Sequence, residues 1–148
     1  MKTMRRNRGF TLVEILIVVI ILGILAAIVI PQFTNASTDA RQNSLSSTLQ
    51  TVRSQIELYK LQHNDTMPLL ITTTPAWSVF TGKTKADGTV GATAAFVFGP
   101  YMQNAPVNPL NGLNTVDTAA AAGVGWVYDE STGVIHATNT DQSAVTTN

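Results

Sequence analysis

One carboxylate in this chain sits where carboxylates are rarely tolerated. Glu14 lies inside Phe10–Ile30, FTLVEILIVVIILGILAAIVI, a stretch that carries no other charge. An ionised acid in an apolar span is costly unless paired, so such a residue is a functional candidate by default. The nearest cation in sequence, Arg8, stands ahead of the apolar run, so Glu14 is expected to meet a positive group from elsewhere. The plainer alternative is a side chain that snorkels to the membrane edge. The remaining candidates for chemistry are weaker. His63 and His136 have no Asp, Glu or second His at ligand spacing, which points to surface or hydrogen-bonded structural roles. Asp129-Glu130 has the composition of a general acid pair, but adjacent residues in a turn point apart, and turn chemistry accounts for them. Trp77, Tyr101 and Trp126 have the makings of a binding patch, yet a small head needs them as core. No nucleophile elbow, phosphate loop or dinucleotide fingerprint is present, so no catalytic residue is assigned.

The element that must position Glu14 is a helix. Taken as one, Phe10–Ile30 is about 31 Å long, close to the hydrocarbon thickness of a bilayer. Lys2, Arg5, Arg6 and Arg8 precede it without an acidic neighbour, which places the N-terminus in the cytoplasm and the rest outside. A buried core helix is disfavoured, because a run this long and apolar on every side rarely suits so small a domain. A cleaved secretory signal is also a poor match. Ala26 and Ala27 fall within the apolar run and are followed by Ile28, Val29, Ile30 and Pro31.

Four of the nine basic residues lie in that first segment, leaving five against nine acidic ones over the rest of a 148-residue chain of zero net charge. A mildly acidic body argues against a nucleic-acid-binding face. The absence of cysteine excludes a disulfide framework, a thiolate metal site and a cysteine nucleophile.

Beyond Pro31, Leu45, Leu49, Val52, Ile56 and Tyr59 recur at spacings of four and three, forming one apolar stripe of an amphipathic helix. Asn64-Asp65 and Pro68 end the pattern. Gly23 and Pro31 are the weak points, where the helix is expected to kink or loosen. One helix is thus predicted from about Phe10 to about Gln62, roughly 80 Å at standard rise. No head of this size can bury such a rod, so its first half belongs in lipid or among other copies.

From Asn64 onward the chain reads as a small head. Thr72-Thr73-Thr74-Pro75 is expected to cap a short helix holding Ala76, Trp77, Val79 and Phe80. Lys83–Thr93 reads as a loop, and Ala94–Phe98 as a short strand or irregular core segment. The prolines between Gly99 and Gly112 forbid regular structure. Gly125–Tyr128 and Val134–Ala137 read as two strands of a hairpin joined by Asp129–Gly133, with Trp126 and Tyr128 facing the long helix. The polar residues from Asn139 are expected to fray.

Arg8-Gly9-Phe10-Thr11-Leu12-Val13-Glu14 resembles the processing motif of type IV prepilins and of the pseudopilins of type II secretion. A basic leader ending in glycine is followed by phenylalanine, by glutamate four residues later, and by a long apolar helix. The Gly-Pro-Tyr segment at 99–101, the Pro-Val-Asn-Pro-Leu-Asn-Gly turn at 106–112 and the Trp-Val-Tyr-Asp hairpin resemble the major pseudopilins more particularly. The resemblance implies an α+β, type IV pilin-like fold, with a long N-terminal helix packed on a small head that carries a short antiparallel sheet. It implies a cleaved leader over residues 1–9, an assembly helix over 10–31, its amphipathic continuation over 32–63 and a head over 64–148. It further implies cleavage by a prepilin peptidase between Gly9 and Phe10, methylation of the new Phe10 amine, and pairing of that amine with Glu14 of another copy. Implied partners are identical subunits in a homopolymer, the inner-membrane assembly platform, minor pilins or pseudopilins, and the lipid bilayer before assembly. The implied location is the inner membrane, single-pass, with the head periplasmic and later in an extracytoplasmic filament. Within this class a secretion pseudopilin is favoured. The alternatives are a pilin for adhesion, motility or DNA uptake, and a single-pass membrane-anchored binding module. No cofactor is expected. Many major pseudopilins carry Asp-Pro-Trp-Gly and an acidic calcium loop where this chain has Asn108-Pro109-Leu110-Asn111 followed only by Asp117, so calcium finds little support.

Overall fold

The computed structural model describes residues 9–73, 75–142 and 144–145. Residues 1–8 of the expected 1–9 leader, and Thr74 of the expected cap, lie outside the described residues. The chain divides into two units, one ending at Asp39 and one running from Ala40.

The main element is α1, Leu12–Gln62, a 51-residue helix that passes through Pro31. It starts with Thr11 as its cap: the Thr11 Oγ1 accepts a hydrogen bond from the Glu14 N–H at 3.2 Å. Pro31 supplies no N–H for the carbonyl one turn back. Just beyond it, the Thr34 hydroxyl donates to the Ile30 carbonyl and the Thr38 hydroxyl to that of Thr34, a back-bonding pattern that bends helices. In the first unit every described side chain is exposed, including the large apolar ones from Phe10 to Phe33.

The second unit is organised on the last five turns of α1. The residues with the three–four spacing, Leu45, Leu49, Val52, Ile56 and Tyr59, are all buried, as expected from their period. The helix stops where Asn64 and Asp65 turn to positive φ (53° and 62°), and the Asp65 N–H donates to the Lys60 carbonyl five residues back. Onto the stripe pack Leu70, Trp77, Val79, Phe80, Trp126, Tyr128, Ile135 and Ala137. Both indoles find acceptors, Trp77 Nε1 at the Asn114 carbonyl and Trp126 Nε1 at that of Pro106, as buried tryptophans require.

The short helix α2 spans only Ser78–Thr81, later than the threonine cap implies, and Trp77 stands at its N-cap with no side-chain cap bond. The Thr72 hydroxyl is engaged elsewhere, donating to Glu130 Oε2 at 2.8 Å. The segment read as a loop contains a two-stranded antiparallel ribbon, β1 (Lys83–Thr84) and β2 (Val90–Gly91). An Asp-Gly turn closes it: Gly88 has φ 82°, and Asp87 Oδ1 accepts the Thr89 N–H. Ala94–Phe98 is irregular rather than core, with Val97 70% exposed and only Phe98 bridging back to Thr84.

The larger sheet has the order β3-β4-β5-β6, with β3 Val116–Asp117, β4 Trp126–Tyr128, β5 Ile135–Thr138 and β6 Ala144–Val145. Its centre is the expected hairpin, pairing Trp126 with Ala137 and Tyr128 with Ile135. The Asp129 N–H donates to the Val134 carbonyl, and the Gly133 N–H to that of Asp129. Alternation on β4 sends Trp126 and Tyr128 into the core while Val127 is only partly covered. The expected antiparallel sheet is in fact mixed, because β3 runs parallel to β4.

Candidate assembly site

Gly9, Phe10 and Glu14 lie together at the start of α1. A side chain built on Gly9 would meet nothing within 4 Å, and Phe10 is 78% exposed, so the backbone on both sides of the expected cleavage point is open. Glu14 falls in the first helical turn, where the unsatisfied N–H groups and the helix dipole favour a negative charge. Thr11-Leu12-Val13-Glu14 is a capping-box sequence, a structural role for these positions beside the expected processing. Among the described residues the Glu14 carboxylate meets no cation.

The apolar surface of the same unit is large and continuous. Ile15, Leu16, Ile17, Val18, Val19, Ile20, Ile21, Leu22, Ile24, Leu25, Ile28 and Ile30 are each about half exposed or more. Such an area far exceeds the patches that soluble monomers present. The described chain contains one helix long and apolar enough to cross a membrane. Gly23 adds a further weak point, because a glycine inside a helix costs about 1 kcal/mol relative to alanine.

The other candidates resolve into structure. His63 is fully buried and stacks on Tyr59 with ring centroids 3.8 Å apart. Its Nδ1 lies 2.8 Å from the Tyr59 carbonyl and its Nε2 2.9 Å from Thr84 Oγ1. Since a carbonyl only accepts, Nδ1 carries the proton and Nε2 receives the threonine hydroxyl. His136 pairs with Val127 in the hairpin. Asp129 and Glu130 diverge, as adjacent turn residues should. The Asp129 carboxyl is held down to about 2, chiefly by the Ser131 hydroxyl and N–H that donate to it. Burial acts to raise the Glu130 carboxyl, but donors from Thr72 and Ile71 outweigh it and leave it below its ordinary value. Glu130 is thus a clamp on a distant strand of chain, which sequence spacing does not reveal. Trp77 and Trp126 are core and Tyr101 packs against Tyr59 and Phe80 of the same core, so they do not form an open patch.

The stretch where the resemblance places a calcium loop has the wrong donors for a hard cation. Asn108 is fully buried and turns its amide nitrogen, not its oxygen, toward the carbonyls of Gly125 (2.8 Å) and Thr138 (2.6 Å). Asp117 is exposed and accepts from its own neighbour, the Thr118 N–H. Among the described residues no three His, Cys, Asp or Glu side chains gather into a metal-binding group. These residues do not fit calcium.

An exposed glycine and phenylalanine, a first-turn carboxylate that meets no described cation, an apolar helix exposed along its described residues and an α+β head are consistent with a type IV pilin-like fold. The family description "Prokaryotic N-terminal methylation motif" matches residues 4–30. Three relatives illustrate the likeness. The type II secretion system core protein G of Dickeya chrysanthemi is 40% identical over 60 residues, covering 40% of this chain and 39% of that protein. The core protein G of Pseudomonas aeruginosa is 39% identical over 59 residues, 40% of this chain and 42% of the relative. The major component of the type IV narrow pilus of Thermus thermophilus is 40% identical over 57 residues, 38% of this chain and 49% of the relative. The matched stretches thus span about two fifths to one half of these relatives' length. No solved structure matches the chain significantly.

Proposed function

We propose that this protein is a structural subunit of a type IV pilin-like filament, and within that class a type II secretion pseudopilin. A prepilin peptidase cuts between Gly9 and Phe10 and methylates the new amine. The subunit waits in the inner membrane with its N-terminus cytoplasmic and its head periplasmic, and the assembly platform, with minor pseudopilins, adds it to a homopolymer used in protein export. The observation that carries this reading is Glu14 four residues past Phe10, on an apolar helix that none of the described residues covers. Neighbouring copies, and lipid before assembly, supply that cover.

Cleavage turns an amide nitrogen into a cation. The Phe10 amine of one copy and the Glu14 carboxylate of another then form a pair worth about 4 kcal/mol at 4 Å and an effective dielectric of 20. A copy inserted one turn out of register loses that attraction and buries an unpaired charge, so the pair selects the axial register. Gly23 to Pro31 is the stretch that yields when subunits pack, since it holds a glycine, a poor helix former, and a proline that lacks the N–H donor.

The test is Glu14→Gln. The amide keeps the capping geometry and removes only the charge. Filament incorporation is expected to fall at least tenfold while the head stays folded, since Glu14 is exposed and lies in the other unit. Incorporation equal to wild type refutes the pairing, and a wild-type chain that enters no filament at all favours a single-pass anchored binding module. A surface type IV pilus is the second reading, supported by the likeness to the narrow-pilus component. Loss of surface filaments without a secretion defect, after deletion of the gene, selects it over the pseudopilus.

A further inference from the structure

We infer that the side-chain amide of Asn108 takes the place of a bound cation in the head, so that this loop is closed by neutral hydrogen bonds and needs no divalent metal. The inference rests on the geometry of the second unit and is independent of filament assembly. Three separate segments converge here: the turn at 106–113, the backbone at Val124-Gly125, and the end of β5 at Thr138. Each brings carbonyl oxygens to a buried place, and buried carbonyls need a partner.

In a metal-bound loop a cation would satisfy them. Here the two amide hydrogens of Asn108 do so, one toward Gly125 and one toward Thr138. Its Oδ1 accepts the Leu110 N–H at 2.9 Å, so every hydrogen-bonding direction has one consistent assignment, and flipping the amide would break all three contacts. Backbone bonds brace it from both sides: the Asn108 N–H donates to the Leu113 carbonyl, and the Gly112 N–H to the Asn108 carbonyl. Asn111 adds a second clip by donating to Thr138 Oγ1 at 2.8 Å, and the Thr138 hydroxyl in turn donates to the Val124 carbonyl at 2.6 Å. Asn108 and Thr138 are both fully buried. With each group satisfied and no carboxylate among them, a divalent cation would have to displace amide hydrogens without gaining an anionic ligand.

The test uses the full chain in detergent micelles, melted by circular dichroism with tryptophan fluorescence as a second probe. Wild-type melting curves in chelator and in millimolar calcium are expected to coincide; a rise in Tm with calcium overturns the inference. Asn108→Asp replaces the nitrogen by an oxygen facing two carbonyls. In chelator its Tm is expected to fall by about 10 °C, on the usual scaling for a domain of this size, and calcium is expected to restore part of the loss. An unchanged Tm in chelator, or a loss that calcium leaves untouched, refutes the cation-like role. If that variant does not fold, Asn111→Ala serves, with a smaller expected drop and no calcium response. A calcium response in Asn111→Ala refutes the inference equally.

Discussion

Removing Glu130 tests whether a single carboxylate holds the 69–73 segment to the hairpin turn. Its Oε1 accepts the N–H groups of Ile71 (2.8 Å) and Thr72 (3.0 Å), and its Oε2 accepts the Thr72 hydroxyl (2.8 Å). Hydrogen bonds to a charged group contribute about 1.5–3 kcal/mol each when sheltered. Thr72 is exposed, so water recovers much of this, and we expect about 2 kcal/mol for Glu130→Ala after that discount. For Glu130→Gln we expect about 1 kcal/mol, because the amide oxygen still serves the two backbone donors. The corresponding fall in Tm is about 10 °C for alanine and about half that for glutamine.

The pH dependence follows from the direction of the shift. The carboxyl is depressed in the folded state below the 4.5 of an ordinary glutamate. Its contribution is therefore fully present above that value and is lost as pH falls through the lower, folded value. Thermal melts of wild type and Glu130→Gln should differ at neutral pH and converge as pH falls through the depressed folded value. Asp129, held down to about 2, is present in both proteins, so the loss of its contribution in acid does not enter the difference. Equal melting at neutral pH, or a gap that persists undiminished in acid, would refute the clamp.

Two further outcomes follow from the packing of the head. Leu49→Ala deletes a buried side chain in the middle of the stripe and should destabilise by about 2–5 kcal/mol in denaturant titration, whereas Leu61→Ala, on an exposed position of the same helix, should stay within about 0.5 kcal/mol. Thr84→Val keeps the shape but removes the hydroxyl that serves His63 Nε2. A cost of about 1–3 kcal/mol is expected for the buried nitrogen left unsatisfied, and a value near zero would show that the His63 contact carries no stability.

What the sequence disclosed and what it hid separate by range. The Leu45–Tyr59 stripe and the Trp126–Ile135 hairpin were legible because period and turn chemistry are local. The start of α1 was legible from the apolar run, although the cap formed by Thr11 was overlooked. The β1–β2 ribbon was misread as loop since its strands have two residues each, too short for alternation to register, although Asp87-Gly88 was a usable hairpin signal. Ala94–Phe98 misled in the opposite sense, an apolar run of which only Phe96 and Phe98 are partly covered by the head. The parallel pairing of Val116-Asp117 with β4, the reach of Glu130 to Thr72 and the amide clip at Asn108 bring together residues far apart in sequence. No local pattern encodes such contacts; only the packed chain produces them.

The central claim is that Gly9 ends a leader and that Phe10 opens the working subunit. Intact-mass and peptide mass spectrometry of the protein purified from its native membrane tests it most directly. The account predicts a chain that begins at Phe10 and is one methyl group heavier than its sequence. A protein that retains residues 1–9, or that starts at Phe10 with an unmodified amine, contradicts it.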